Sequence, residues 1–431
     1  MNMKFSAGAA SVLFVSLLSG DVSAFSSPIA SLSTTTTTTT STTTTTTTSL
    51  GMASDDSADA ATRVVVTGLG VVSGCGVGQE DFFQACIEGK SSLAKVQRFD
   101  IDNYPCQIAS EVPDDIFDPN DYFINPKNVK SNDRYTHFAV AAARMALKDA
   151  GLPDEPQTLE DPDRIGVMVG SAFGGMETFE KETLKLAKKP ERPKVSPFTI
   201  PALLGNTASG VIGIETGARG PNYGIVSACA SGSHAIGEAM GMIVDGKADR
   251  MLAGGTEATI TPLCFAGFCA MKAMNTKYND NPTAGSRPFD AGRGGFIMGE
   301  GAGVVLLESL ESAKKRGATI YCELVGYGAT CDAHHITTPA PGGRGLAAAM
   351  EIALEMSDVE KSDVSYVNAH GTSTAYNDKF ETMAIKTVFG EHATAKDGKF
   401  VVSSTKCVTG HTLGAAGGLE AIVAAKSIYH N

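Results

Sequence analysis

The stretch Val226-Ser-Ala-Cys-Ala-Ser-Gly-Ser233 has a counterpart later in the chain, Val367-Asn-Ala-His-Gly-Thr-Ser-Thr374. A shorter pair of matching motifs lies upstream, one ahead of each stretch. Self-similarity of this kind indicates repeated structural units. We therefore predict two copies of one α/β unit, the first enlarged, whose pseudo-symmetric packing brings Cys229 and His370 together. The upstream pair is Thr67-Gly-Leu-Gly70 and Val325-Gly-Tyr-Gly328.

Cys229 is predicted to be a nucleophile. Ile225 and Val226 ahead of it indicate a buried strand, and the small residues behind it lead into a helix. A cysteine at such a turn faces the free N–H groups of the helix, and these groups and the helix dipole favour a thiolate. The alternative is a buried structural cysteine, which is the commoner state of free cysteine.

Two further candidates lie close together near the end of the chain. Val401–Ser404 is predicted to be a strand, and the small residues from Gly414 begin a helix. Lys406 and His411 fall in the loop between them, where functional groups concentrate. A solvated loop histidine is the alternative.

Composition excludes several classes of function. The chain has 431 residues and a formal charge of −12, which argues against a general nucleic-acid-binding protein. Its nine cysteines form no CxxC pair, so neither a zinc site nor a thioredoxin-like motif is indicated. An odd and scattered set of cysteines fits reduced thiols in a reducing compartment. The glycine loop 171–175 lacks the spacing of a dinucleotide site.

The N-terminus is predicted to be a targeting region. Residues 1–24 have the pattern of a signal peptide, and their apolar run is too short to span a membrane. Residues 25–62 are rich in Ser and Thr and are expected to be disordered. This order resembles the two-part presequence of algae with secondary plastids, so we expect the plastid stroma. Plain secretion with a mucin-like stalk is the alternative, and the mitochondrion is another.

Six motifs together resemble the β-ketoacyl-[acyl-carrier-protein] synthases of the elongating I/II type, from Arg63 to the C-terminus. The resemblance implies a thiolase-like fold, layered αβαβα, with an N-terminal half at 63–310 and a C-terminal half at 311–431. The motifs are Ser227–Gly232, Asn368–Thr374, Ser404–His411, Arg219–Pro221, Ala253–Glu257, and Ser286–Asp290 with Met298–Gly303.

The resemblance also implies a reaction. Cys229 takes an acyl group from acyl-carrier protein as a thioester, and malonyl-carrier protein then loses CO2 and attacks it. His370 and His411 donate hydrogen bonds to the negative charge of this step, and no step requires a cofactor or a metal. Lys406 is expected to hold the histidines and tune their field rather than act as a base. Glu420, nine residues after His411 in the predicted helix, is expected to balance its charge, and a solvated helix face is the alternative.

Other roles follow from the same resemblance. Phe173 lines the bottom of the acyl pocket, where its bulk limits chain length, and Thr372 and Thr374 bind substrate. Lys127 and Lys130 dock the acidic carrier protein, and a homodimer is expected.

The chain departs from the family pattern at Ala375, Gly292, Gly294 and its end. A counterpart of Gly303–Glu308 does not follow the last helix, so the last strands of the second half and one donor of the oxyanion hole are expected to be missing. The alternative function is therefore a non-condensing carrier-binding homologue or dimer partner.

Overall fold

The structure is a computed structural model that describes residues 62–155 and 157–430. The predicted signal peptide, 1–24, and all but the last residue of the Ser/Thr-rich segment 25–62 lie outside these residues. Across the described ranges, no helix is both long enough and apolar enough to cross a membrane.

The described residues form strands and α-helices in alternation over most of the chain. The strands are β1 (Val64–Ser73), β2 (Gly76–Val77), β3 (Ala94–Lys95), β4 (Ile108–Ala109), β5 (Ile165–Gly170), β6 (Asn222–Ile225), β7 (Arg250–Glu257), β8 (Gly301–Ser309), β9 (Cys322–Leu324), β10 (Tyr366–Asn368) and β11 (Val401–Ser403). The helices are α1 (Gln79–Glu88), α2 (Pro126–Val129), α3 (Arg134–Asp149), α4 (Met176–Lys188), α5 (Thr199–Leu203), α6 (Thr207–Thr216), α7 (Ser231–Val244), α8 (Pro262–Ala270), α9 (Leu310–Arg316), α10 (Arg344–Ser357), α11 (Ala375–Phe389), α12 (Lys406–Thr409) and α13 (Ala416–Tyr429).

The larger sheet has the order β2-β1-β8-β7-β5-β6, and β9 pairs with β1 beside β2. β5 is parallel to both of its neighbours, whereas β8 is antiparallel to β1 and β7. All ten residues of β1 and all six of β5 are buried. Strands that are apolar throughout need cover on both faces, so helices must pack on each side of this sheet.

Successive residues of β5 contact different helix layers. Val167 and Val169 belong to a core with α3, whereas Met168 packs with α7 and α13 on the other face. The smaller sheet, β10 and β11, packs against α10 and α11. α13 meets that sheet at Asn368, whose amide donates to the Glu420 carbonyl oxygen at 3.5 Å. The layers are therefore αβαβα, as predicted.

The glycine pair of each half packs on a helix in the same way. A Cβ on Gly68 or Gly70 would overlap a backbone carbonyl oxygen of α3. A Cβ on Gly326 or Gly328 would do the same against α10. Each glycine lets the chain approach its helix backbone, and the matching contacts are those of a duplicated unit.

The predicted equivalence of Cys229 and His370 is wrong. β10 follows α10 as β5 follows α3, so His370, which comes directly after β10, corresponds to the glycine loop after β5. The counterpart of Cys229, which lies between β6 and α7, is the loop between β11 and α13. The two stretches are similar in sequence, but the order of elements and not the local motif defines the repeat.

The burial predicted for the strand before Cys229 is also wrong. β6 is the edge strand of the larger sheet, with β5 as its one neighbour in the described residues. Val226 just after it is 65% exposed.

In the second half, 325–328 is not in a strand, and the smaller sheet holds two strands within the described ranges.

The glycine contacts predict a difference between two substitutions. Gly328→Ala places a Cβ against the backbone of α10 and should destabilise the protein by about 1–3 kcal/mol. Gly241→Ala, inside α7 with open space around it, should be neutral or stabilising by up to about 1 kcal/mol. Denaturant midpoints of the two variants measure this. Equal midpoints would mean that the segment 325–328 does not rest on α10.

Candidate active site

Cys229 lies at the N-terminal end of α7, on a short 3-10 turn formed by residues 228–230. The residue before it, Ala228, has φ of 52°, in the left-handed region. Sharp turns of this kind expose the nucleophile at the end of a strand. Cys229 is half-buried.

His411 contacts the cysteine directly, with 3.0 Å between Nε2 and the Cys229 sulfur. Its backbone is fixed by two hydrogen bonds, to the Ile297 carbonyl oxygen and from the Gly299 N–H. The Leu413 N–H donates to Nδ1 at 3.3 Å. Because Nδ1 is the acceptor, we assign the proton to Nε2, so His411 directs an N–H at the sulfur.

His370 completes a cluster of three side chains. Its ring centroid lies 5.2 Å from that of His411, with the rings nearly perpendicular. The ligand atoms of Cys229, His370 and His411 all lie within 4.8 Å of one another. These residue types bind zinc, but the proton on Nε2 of His411 makes that nitrogen a donor rather than a ligand.

Lys406 and Glu420 form a buried ion pair beside the histidines. The Lys406 side chain is 2% exposed and its ammonium group pairs with the Glu420 carboxylate. Burial and then the Lys406 charge hold the pKa of His370 and His411 well below 6.5. Both imidazoles are therefore neutral at pH 7. Burial raises the pKa of Glu420, and the Lys406 charge opposes that shift.

The prediction that the turn favours a thiolate is wrong for the resting protein. Burial raises the pKa of the Cys229 thiol to about 12, and the Lys406 charge offsets only part of this rise. Loss of hydration disfavours the charged form more than the helix end and the nearby cation favour it. Cys229 is a neutral thiol at pH 7.

Glu257 was not assigned a role from the sequence. It is fully buried at the end of β7 and accepts from the Ala172 and Gly414 N–H groups, at 2.7 and 3.1 Å. Burial raises its pKa to about 7. It joins the loop after β5 to the loop after β11. A carboxylate that ends an otherwise apolar strand was the available signal.

Glu381 was also missed. Its carboxylate accepts from the backbone N–H groups of His370 and Gly371 at 2.6 and 2.8 Å, and so fixes the turn that carries the imidazole. Burial raises its pKa to about 7. An acidic residue on the helix that follows His370 is common on solvated faces, so the sequence held no clear signal.

The remaining predicted residues lie around this cluster or away from it. Thr372 and Thr374, just after His370, share a hydrogen bond of 2.8 Å between their hydroxyl groups. Phe173 is 44% exposed, and its ring meets that of Phe268 edge to face.

Lys127 and Lys130 are exposed on and after α2. Lys130 lines a cleft of about 600 Å³ that is not lined by Cys229, His370 or His411. The structure therefore does not bring these lysines into the Cys229 cluster.

The source of the low imidazole pKa is testable. Lys406→Met removes the nearby cation, so the pKa values of His370 and His411 should rise, though burial keeps them below 6.5. The control is Lys426→Met, which removes a different buried lysine, on α13, that pairs with Glu80. It should leave the pKa values of both imidazoles unchanged. NMR titration of the imidazole resonances measures this. Identical titration curves in the parent and in Lys406→Met would show that the Lys406 charge does not lower the imidazole pKa values.

Comparisons with known proteins agree with this geometry. The family model described as "Beta-ketoacyl synthase, N-terminal domain" matches residues 61–313, and that for the C-terminal domain matches 321–431. A 3-oxoacyl-[acyl-carrier-protein] synthase 2 from Synechocystis sp. is 47% identical over 367 residues, 85% of each chain. One from Staphylococcus aureus is 48% identical over 366 residues, again 85% of each.

Solved structures give the same result. A β-ketoacyl synthase from Burkholderia phymatum superposes with a TM-score of 0.77 at 34% identity, covering 86% of this chain and 87% of that one. A type II polyketide ketosynthase, solved in complex with its acyl-carrier protein, superposes with the same TM-score, identity and coverage. The chain belongs to the β-ketoacyl synthase family.

Proposed function

We propose that this protein condenses acyl-[acyl-carrier protein] with malonyl-[acyl-carrier protein], releasing CO2 and giving 3-oxoacyl-[acyl-carrier protein], the elongation step of fatty-acid synthesis. The observation that carries the proposal is the N–H of neutral His411, 3.0 Å from the Cys229 sulfur, with His370 beside it. A non-condensing carrier-binding homologue has no use for this arrangement. The relatives named 3-oxoacyl-[acyl-carrier-protein] synthase 2 support the same choice.

In the first step the Cys229 sulfur attacks the thioester carbonyl of the acyl-carrier protein. A carbon–sulfur bond to Cys229 forms and the bond to the carrier sulfur breaks. The proton of Cys229 ends on the departing carrier thiol. Because the resting thiol is protonated, its deprotonation is coupled to this exchange rather than completed before it.

In the second step the malonyl group loses CO2, and the electron pair of the broken carbon–carbon bond forms an enolate. The N–H groups of His370 and His411 stabilise the enolate oxygen, because donors already in place need no reorganisation. The enolate carbon attacks the acyl-Cys229 carbonyl, and the carbon–sulfur bond breaks. The released sulfur takes up one proton from the solvent, which restores the thiol.

The function is tested by separating its two steps. His370→Ala and His411→Ala should each lower CO2 release from malonyl-carrier protein on the order of 10²–10³-fold, since each removes a donor to the enolate. Cys229→Ala should form no 3-oxoacyl product. Mass spectrometry of the parent should find the acyl group on Cys229 and not on the exposed Cys407. Undiminished CO2 release in both histidine variants would contradict the mechanism.

Phe173 is proposed to limit the acyl chain, and Thr372 and Thr374 to bind the pantetheine arm. Phe173 lies in the glycine loop that Glu257 holds, and its neighbour Ala172 packs in the same core as Cys229. The two threonines come shortly after His370 in the chain, and their paired hydroxyl groups are polar groups available to a substrate.

The carrier protein is proposed to dock at Lys127 and Lys130. The enzyme carries a net charge of −12, so an acidic partner needs a local basic surface. Both lysines are exposed at the surface. The solved ketosynthase with its acyl-carrier protein supports a carrier as partner, without assigning these residues.

Charge reversal tests the docking surface. The double variant Lys127→Glu, Lys130→Glu should raise KM for the carrier substrate about 10-fold and leave kcat unchanged. The reason is that charges at the rim of an interface act mainly on association. Reversal of Lys314 and Lys315, an exposed pair on α9, is the matched control. If the control raised KM equally, the effect would be one of net charge and the assignment to Lys127 and Lys130 would fail.

A homodimer is proposed through the edge of the larger sheet. β6 has a free edge in the described residues, and large apolar side chains around it are exposed. Such an edge needs cover, and a second copy supplies it. The exposed residues include Ile200, Leu204, Ile214, Tyr223 and Val226.

The plastid stroma is proposed as the location, with the mitochondrion as the alternative. The signal-like segment 1–24 and the Ser/Thr-rich segment 25–62 support import through two membranes. All nine cysteines are free thiols in the structure, which fits a reducing compartment.

A further inference from the structure

The turn that carries Cys229 stores backbone strain. Ala228 has φ of 52°, and a residue with a Cβ pays a penalty in this region that glycine does not. A relaxed Ala228 would carry the next residue, Cys229, away from His411. Some other interaction must therefore hold the turn in place.

Ser231, in the first turn of α7, bonds to the backbone on both sides of Ala228. Its hydroxyl oxygen accepts from the Ser227 N–H at 2.9 Å and its hydroxyl proton goes to the Ala228 carbonyl oxygen at 2.7 Å. The Ser231 side chain is fully buried, so water does not compete for these bonds. The one hydroxyl therefore bridges the strained residue.

His234, one turn further along α7, holds the side chain of Ser227. Its Nδ1 lies 2.8 Å from the Ser227 hydroxyl oxygen. Its Nε2 is buried and has no hydrogen-bond partner in the described part of the chain. A buried ring nitrogen without a partner is costly, so this histidine is poorly explained by stability alone. Tyr327 of the second half packs edge-on against the ring.

We propose that Ser227, Ser231 and His234 form a clamp that holds Ala228 in the left-handed conformation and thereby positions the Cys229 sulfur on the Nε2–H of His411. The three are positioning residues, since none touches the reacting atoms. The kinetic test of this proposal measures condensation and therefore rests on the proposed function. The chemical test measures the reactivity of Cys229 and does not depend on that function.

The first test is a pair of substitutions. In Ser231→Ala, kcat for condensation should fall about 10-fold with little change in KM, a drop of the size that releasing one strained residue gives. Adding Ala228→Gly should restore most of the loss, because glycine adopts positive φ without strain. If Ser231 merely stabilised α7, the added glycine would not restore activity, and that result would overturn the clamp.

The second test concerns the hydrogen bond between His234 Nδ1 and the Ser227 hydroxyl. His234→Asn keeps a polar group near the position of Nδ1 and should retain activity, whereas His234→Gln places its amide near Nε2 and should lower kcat. Because the two variants are otherwise similar, a general loss of folding would affect both. Equal kcat values for the two variants would remove His234 from the clamp.

Alkylation of Cys229 by iodoacetamide, followed by peptide mass, gives a readout that needs no condensation. In the parent the rate should rise about 10-fold per pH unit from pH 7 to 10, because the thiolate fraction grows below the raised pKa. Loss of the clamp separates the sulfur from the His411 donor and should change this rate, and Ala228→Gly should restore it.

Ser427→Ala is the matched control. It loses one partly buried hydrogen bond from a serine hydroxyl to the backbone of its own helix, α13, and should react like the parent. A parent that makes no 3-oxoacyl product while Ser231→Ala still alters alkylation would refute the proposed function and keep the clamp. Unchanged alkylation and unchanged kcat in Ser231→Ala would refute the clamp and keep the function.

Discussion

The active site depends on a backbone contact between α7 and α13, the two central helices. A Cβ on Gly232 would lie 2.9 Å from backbone atoms of Gly414 and Gly418, and one on Gly417 would lie 2.5 Å from the Ser233 nitrogen. Glycine on both sides lets the helix ends touch where side chains would hold them apart. Because Cys229 precedes α7 and His411 precedes α13, this contact is what places sulfur and imidazole 3.0 Å apart. The site therefore belongs to neither half alone.

Burial shifts the pKa values of the cluster in opposite directions, down for the two imidazoles and up for the Cys229 thiol. Lys406 is paired with the Glu420 carboxylate. Burial and that charge keep the imidazoles neutral, while burial keeps the thiol protonated. Neutral imidazoles still carry one N–H each, and the Leu413 N–H fixes which nitrogen of His411 carries it. Burial and the Lys406 charge thus leave neutral imidazoles, which offer N–H donors rather than positive charges in the cluster.

The repeated motifs predicted the duplicated α/β fold, because they are local signals, whereas the αβαβα layers and the grouping of Cys229 with both histidines followed from the resemblance to the family. The repeat was assigned to the wrong positions, because the stretches around Cys229 and His370 are similar in sequence but occupy different positions in the order of strands and helices. The protonated thiol was also missed, because it depends on burial that no local pattern records. Glu257 was overlooked because its partners come from distant loops, and Glu381 because an acidic residue on a helix is common on solvated faces.

Loss of hydration works against the first step of the proposed mechanism and in favour of the second. Burial disfavours the thiolate, so the nucleophile forms only as the acyl group is exchanged. When CO2 leaves in the second step, Cys229 is already a thioester, so its sulfur carries no charge that competes with the enolate for the His411 N–H. The Lys406 charge is paired with Glu420, which leaves the neutral imidazole N–H groups as the proposed donors to the enolate. In a buried site such donors act more strongly than they would in solution, so the burial that weakens the nucleophile also strengthens the stabilisation of the anion that follows.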